Sequence, residues 1–212
     1  MTVIACAVMT LAAGAQQPDR PRSREFRPED LGTLEPPDRD EWQQPDKIMD
    51  ALGIYDGNRV GDVGAGSGWF TIRLARRVGP NGRVYAEDIK PLMLESIKNA
   101  AERAGLNNIG FELGTEFDPR LPSDLNAVLM VGVYGFLKDP VAILRNVAKS
   151  LAPTGRLGIV EYKKDGAGGP GPDLDERIDP EVIIREAGSA GLALRSHETF
   201  LRYQYLLVFS RN

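Results

Sequence analysis

VGDVGAGSGWFTIRLARRVGPNGRVYAED, from Val60 to Asp88, reads as a strand, a glycine loop, a helix and a second strand. Arg59 to Val63 forms the first strand and carries one carboxylate, Asp62. Gly64, Gly66 and Gly68, with Ala65 among them, then let the backbone turn sharply and approach a ligand with no Cβ in the way. From Trp69 the spacing turns helical, with Phe70, Leu74 and Val78 on one face and Gly79 past the end. Pro80-Asn81-Gly82 marks a turn, and Arg83 to Ala86 returns as a strand that delivers Glu87 and Asp88 at its end. An acid in that position can bond both hydroxyls of a ribose.

On the N-terminal side, Gln44-Pro45-Asp46 opens a helix with Pro at its first position, and Gly53 closes it. On the C-terminal side, Pro91 to Ala104 has helical spacing and Asn108 to Leu113 reads as a third strand. Gly114-Thr115-Glu116 follows, either as an ordinary turn or as a loop whose acid or hydroxyl meets a ligand. Ala127 to Val133 is nearly all apolar, as a strand buried on both faces requires. Asp139-Pro140 caps a helix running inward through Leu151, Pro153-Thr154-Gly155 turns, and Leu157 to Tyr162 is the fifth strand. KKDGAGGPGPDL, from Lys163 to Leu174, is too rich in Gly and Pro for a regular element. A helix capped by Asp179-Pro180 and two strands, about 193–198 and 202–209, end the chain as a hairpin.

These elements make an α/β fold: a doubly wound sheet, mainly parallel, with an antiparallel C-terminal hairpin. The chain has 212 residues, 42% hydrophobic and 26% charged, which suits one domain with a real core. A net charge of −4 gives no electrostatic footprint for nucleic acid, so none is expected as a partner. No run of 18 apolar residues offers a stable membrane span. Cys6 is the only cysteine, so neither a disulfide framework nor a zinc set is available and no metal is expected. Nothing in the pattern sets an oligomeric state.

VIACAVMTLAAGA, residues 3–15, is a short apolar run ending in small residues, the form of an export signal cleaved after Ala15, although it lacks a basic front end. Residues 16–40 lack apolar periodicity and read as a disordered arm, leaving 41–212 as the folded domain. Export or a periplasmic location is the expectation, with a cytoplasmic location as the alternative.

Two ligand classes use such a nucleoside-binding unit, dinucleotides and S-adenosylmethionine. Asp62 would face a pyrophosphate with like charge but suits a positively charged amino-acid moiety. The spacing is GxGxG, with Trp69 where the third glycine of the dinucleotide fingerprint would stand. A dinucleotide oxidoreductase therefore remains only as a weaker alternative. VGDVGAGSG at 60–68, VYAEDIKPLML at 84–94 and LAPTGRLGIVEY at 151–162 resemble the class I S-adenosylmethionine-dependent methyltransferases, in the small-molecule group similar to the ubiquinone and menaquinone C-methyltransferases. The resemblance implies strand order 3-2-1-4-5-7-6 and a cofactor, S-adenosyl-L-methionine. It places Asp62, Gly64, Ala65, Gly66 and Gly68 at the methionine part, Asp88 at the ribose, Ile89 on an adenine face, and Thr115 and Glu116 at the adenine edge. With that order, ligands belong where the first and fourth strands end, beside Val131. It also implies that the segment with Trp42 and Gln43 lies over the cofactor; Trp42 as a mere anchor is the alternative.

Methyl transfer from a sulfonium needs alignment more than protein chemistry. Tyr134, Glu161 and Tyr162 are the candidates near the fourth and fifth strand ends for any catalytic role, while His197, the sole histidine, lies on the terminal hairpin. Where relatives carry acidic or polar groups after the fourth strand, this chain has Gly132, Gly135 and Phe136, which predicts an open apolar acceptor cavity beside Tyr134. VGVYGF at 131–136 also lacks the loop of enzymes that methylate base amino groups, which favours a small-molecule acceptor. The stripped acceptor half leaves a second reading, a non-catalytic S-adenosylmethionine-binding protein.

Overall fold

The structure, a computed structural model, describes residues 36–165 and 169–212. The expected signal at 1–15 and most of the arm at 16–40 lie outside the described residues. The elements in chain order are α1 (Arg39–Gln43), α2 (Pro45–Ala51), β1 (Arg59–Val63), α3 (Trp69–Val78), β2 (Arg83–Asp88), α4 (Pro91–Arg103) and β3 (Ile109–Leu113). They continue with β4 (Leu125–Val131), α5 (Pro140–Ser150), β5 (Leu151–Tyr162), α6 (Pro180–Ser189), β6 (Leu192–Glu198) and β7 (Gln204–Arg211). The seven strands form one sheet in the order β3-β2-β1-β4-β5-β7-β6, the order expected from the sequence. β1 pairs in parallel with both β2 and β4, and β7 runs antiparallel between β5 and β6.

Alternation along the central strands divides the core into two layers. Ala127 and Leu129 of β4 join Ile48, Leu74 and Ile97 of α2, α3 and α4. Val128 and Met130 join Leu144, Val147 and Ile183 of α5 and α6. Leu52, which caps the C-terminal end of α2, lies close on β5, since a Cβ on Gly158 would sit 2.7 Å from Leu52 Cδ1.

Several boundaries differ from the sequence reading, three of them with a clear physical cause. The fourth strand stops at Val131 because Gly132 adopts φ +63, and residues 134–136 then form a 3-10 turn. Leu151 begins β5 and does not end α5; it pairs with Leu125, and the ladder resumes at Arg156 opposite Ala127. Pro153-Thr154-Gly155 is therefore a bulge within one long strand. α1 starts at Arg39, inside the last two residues of the expected arm. Five residues cannot sustain a helix alone. α1 forms because Trp42 is buried edge-on to Tyr203, Gln43 donates to Gln204 Oε1 at 2.7 Å, and Asp40 pairs with Arg73 of α3 at 2.6 Å. Trp42 is thus an anchor. Gln44, at φ 47, turns the chain from α1 into α2.

Candidate functional site

The C-terminal ends of β1, β2 and β4 open onto one cavity of about 440 Å³. Gly64 (φ +67) and Gly66 (φ +56) need the left-handed region, and a Cβ on Gly64 would collide with Val133 across the β4 end. The loop and the β4 wall are therefore packed at a distance only glycine permits. Gly64, Ala65 and Gly66 line the cavity. Gly68 does not; it lies behind the loop, where a Cβ would come 2.9 Å from Ile97 Cγ1 of α4.

Asp62 is buried in the cavity wall and accepts the Thr71 hydroxyl at 2.6 Å. Burial pushes its carboxyl up to about 6, with the Thr71 bond and the Arg39 charge acting the other way. Asp88 accepts the Gly66 N–H at 3.0 Å and the Lys90 N–H at 2.9 Å, so the acid at the end of β2 ties the glycine loop to the start of α4. Burial raises its carboxyl too, against those two bonds and the Lys90 charge.

Glu87 is a third acid on this wall. Its Oε2 accepts the Gly64 N–H at 3.2 Å, and a Cβ on Gly114 would collide with its carboxyl. Burial pushes it up to about 8, with Asp88, Asp62 and Asp118 adding to the rise and the Gly64 bond opposing it.

Ile89, about half exposed, lines the same cavity, as do Thr115, Glu116 and Val131. The Thr115 hydroxyl accepts the Asp118 N–H at 3.0 Å, and Glu116 pairs with Lys138. Thr115 thus shapes its own turn as well as the wall. Beyond Val131 the lining is Gly132, Val133, Gly135, Phe136 and Leu137, an apolar surface that Trp42 and the described part of the 163–174 loop leave uncovered.

The catalytic candidates lie elsewhere. Tyr134 is fully buried in the second core layer and donates its hydroxyl to Glu186 Oε2 of α6 at 2.6 Å. The apolar cavity predicted beside its ring is bounded instead by Gly132, Gly135 and Phe136, because the 3-10 turn sends Tyr134 to the opposite side of the backbone. Glu161 accepts the Tyr134 N–H at 2.8 Å and closes the backbone after β4. Tyr162 flanks Gly132, 3.7 Å from where a Cβ would stand, and burial pushes its hydroxyl up to about 12. His197 packs edge-on against Tyr205 on the hairpin.

Sequence reasoning missed Arg39 and Glu87 as cavity-lining groups. Arg39 reaches the cavity from α1, with its guanidinium 4.2 Å from the Trp69 ring centroid and its Nε–H donating to Gln43 Oε1 at 2.6 Å. Trp42 was the signal in the sequence that this segment docks; the buried bond of Gln43 to Gln204, near the far end of the chain, has no local signature. Glu87 was visible as a second acid at a strand end, but its burial follows from Gly114, just after β3, and has no local signature.

No described helix is long and apolar enough to cross a membrane. Among the described residues no cluster of three metal-ligating side chains occurs.

A methyltransferase domain profile matches residues 54–177, more than half of the chain. Among curated proteins the chain is 33% identical over 115 residues to nocamycin O-methyltransferase of Saccharothrix syringae, covering 53% of this chain and 41% of that protein. It is 29% identical over 120 residues to the ubiquinone/menaquinone biosynthesis C-methyltransferase of Pasteurella multocida, covering 55% and 44%. The chain thus spans about half the length of the curated relatives it matches. Among solved structures, a SAM-dependent methyltransferase from Aquifex aeolicus superposes with TM-score 0.82 at 25% identity, over 87% of this chain and 98% of that one.

Proposed function

The chain belongs to the methyltransferase domain family, and from that premise we propose that it transfers a methyl group from S-adenosylmethionine to a small-molecule acceptor. One observation carries the reading: Asp62, the glycine loop and Asp88 share a cavity with an apolar wall at the end of β4, where β1 and β4 are neighbours. The cavity's volume of about 440 Å³ fits a nucleoside-sized ligand with room at one end, within the range of about 300–1,000 Å³ usual for small-molecule sites. The backbone can approach a ligand because Gly64 and Gly66 have no Cβ, and the acids suit a cation and a ribose. The residues fit the group.

S-adenosylmethionine, when bound, supplies a methyl group on a sulfonium, open to in-line displacement. Asp62 holds negative charge opposite the amino-acid ammonium. Asp88 accepts from the ribose hydroxyls, Ile89 packs on an adenine face, and Thr115 and Glu116 meet the adenine edge. Gly68 fixes the loop from behind. Val131 to Leu137 shape an apolar wall that excludes water and holds an acceptor in line, which is where most of the rate effect belongs. Neither candidate tyrosine is set to take a proton near neutral pH: the Tyr134 hydroxyl is committed to Glu186 and Tyr162 keeps its own proton. The acceptor itself supplies the nucleophile.

Methyl-labelled S-adenosylmethionine incubated with the protein and a small-molecule fraction of cell extract tests this. Label should pass to a small molecule. Binding without any transfer would leave a binding protein, and transfer to nucleic acid would overturn the acceptor class. Residues 3–15 also support a proposal of export with cleavage after Ala15. N-terminal sequencing from fractionated cells should then find Gln16; an intact Met1 or Thr2 in the cytoplasmic fraction would overturn it.

A further inference from the structure

We propose that the edge of β3 is a self-pairing surface: a second copy of the chain adds its own β3 in antiparallel register about Phe111, joining the two sheets into one. β3 and β6 are the two edges of the sheet. An exposed edge offers unpaired N–H and C=O groups to another strand, and proteins blunt it with basic residues, Pro or a bulge. β6 is blunted in this way. Its ladder with β7 shifts register between Leu194 and Ser196, and Arg195, His197 and Glu198 lie along it. β3 is not: its sequence, IGFEL, has no basic residue and no Pro, and its ladder with β2 runs without a shift to Leu113.

The unpaired groups fall on alternate residues. Val84 N–H donates to the Asn108 C=O, and Gly114 N–H donates to the Asp88 C=O. The two-residue period of a strand then turns Gly110 and Glu112 toward β2 as well, and turns the N–H and C=O groups of Ile109, Phe111 and Leu113 outward. Among the described residues only Arg120 reaches these outward groups, donating to the Leu113 C=O at 3.4 Å. The same period puts the side chains of Ile109, Phe111 and Leu113 on one face. Ile109 is buried there, but Phe111 is 37% and Leu113 45% exposed.

A two-fold axis through Phe111 satisfies this edge with itself. Phe111 then stands opposite its own copy, and Ile109 opposite the partner's Leu113. On the other face Gly110 stands opposite the partner's Glu112. Arg83 supplies the opposite charge at that place, because its guanidinium lies over Gly110, 3.7 Å from where a Cβ would stand. Neither Arg83 nor Glu112 makes an ion pair among the described residues. The symmetry forms the Arg83–Glu112 contact twice, and this match selects a second copy over any other strand. A five-residue edge is small beside the roughly 1,200–2,000 Å² of a standard stable interface, so the dimer is weak and dissociates on dilution.

Sedimentation equilibrium of the purified full chain over a wide range of concentration tests the pairing. The wild type should pass from one chain mass to two as concentration rises. Glu112→Arg sets like charges against Arg83 and should weaken dimerisation about tenfold or more, and the exchange of Arg83→Glu with Glu112→Arg should restore it. Phe111→Lys should stay monomeric at every concentration with unchanged circular dichroism; if that variant fails to fold, the charge exchange decides alone. A wild type that is monomeric throughout overturns the proposal. So does a dimer that Glu112→Arg leaves as tight as before, or a loss that the charge exchange does not restore.

Discussion

Asp88 bonds two backbone N–H groups that fix the glycine loop and the start of α4, and under the proposed function it is also the acceptor for the ribose hydroxyls. Asp88→Asn keeps an acceptor oxygen but loses the charge, and bonds to a charged group contribute roughly 1.5–3 kcal/mol. The expected outcome is a loss of about tenfold to a hundredfold in affinity for both S-adenosylmethionine and its demethylated product, read by calorimetry, with the circular dichroism unchanged. Glu87 acts on the empty-site protein in a different way. Its carboxyl rises from an ordinary 4.5 to about 8 through burial. The folded chain therefore keeps a proton that the unfolded chain releases, and stability falls as pH climbs through that window. Glu87→Gln removes the dependence. The variant should have a flatter profile of Tm against pH and melt higher than the wild type at pH 8, by several degrees if about 1 kcal/mol shifts a protein of this size by roughly 2–4 °C. Equal slopes from pH 5 to pH 8 would show that Glu87 ionises normally. Asp62 and Asp88 were legible in the sequence because each closes a strand beside the loop that needs it. Arg39 was not, because its place depends on contacts with Gln204 and Tyr203 near the other end of the chain.

The loop between β1 and α3 functions as an element because its glycines face two different partners. Gly64 meets Val133 after β4, and Gly68 meets Ile97 of α4. Gly64→Ala adds a Cβ both in a left-handed backbone and against Val133, so it should abolish cofactor binding at tenfold-saturating ligand while the sheet stays folded. Gly57→Ala is the matching control: it also sits at positive φ (+82), but nothing lies within 4 Å of an added Cβ, so it should lower Tm slightly and leave affinity intact. Equal losses of affinity in the two variants would mean that the Gly64 contact has no special part. The strand–loop–helix–strand unit was readable from spacing because every step is local. The start of β5 was not: Pro153-Thr154-Gly155 carries a strong turn signal, yet pairing of Leu151 with Leu125 draws the preceding residue into the sheet and leaves the turn as a bulge. The end of β4 was overextended for a similar reason, since Gly132 and Val133 continue the apolar run while the backbone has already left the ladder.

Across the whole molecule, strand order and chemistry are one argument. The reversal between β1 and β4 brings the glycine loop, the acids of β2 and the apolar residues after β4 to one edge of the sheet, where a donor and an acceptor can meet. The order followed from alternating strands and helices together with the resemblance of the motifs, because right-handed crossovers leave few alternatives. The acceptor half was only partly legible: its glycines announced space, but the 3-10 turn that sends Tyr134 into the core under α6 has no sequence signal separable from an apolar run. Calorimetric titration of the purified chain with S-adenosylmethionine, beside a parallel titration with NADH, tests the central claim most directly. Saturable one-to-one binding of S-adenosylmethionine in the micromolar range, with no heat from NADH, is the predicted result; a folded protein that binds NADH, or gives no heat with S-adenosylmethionine, would contradict it.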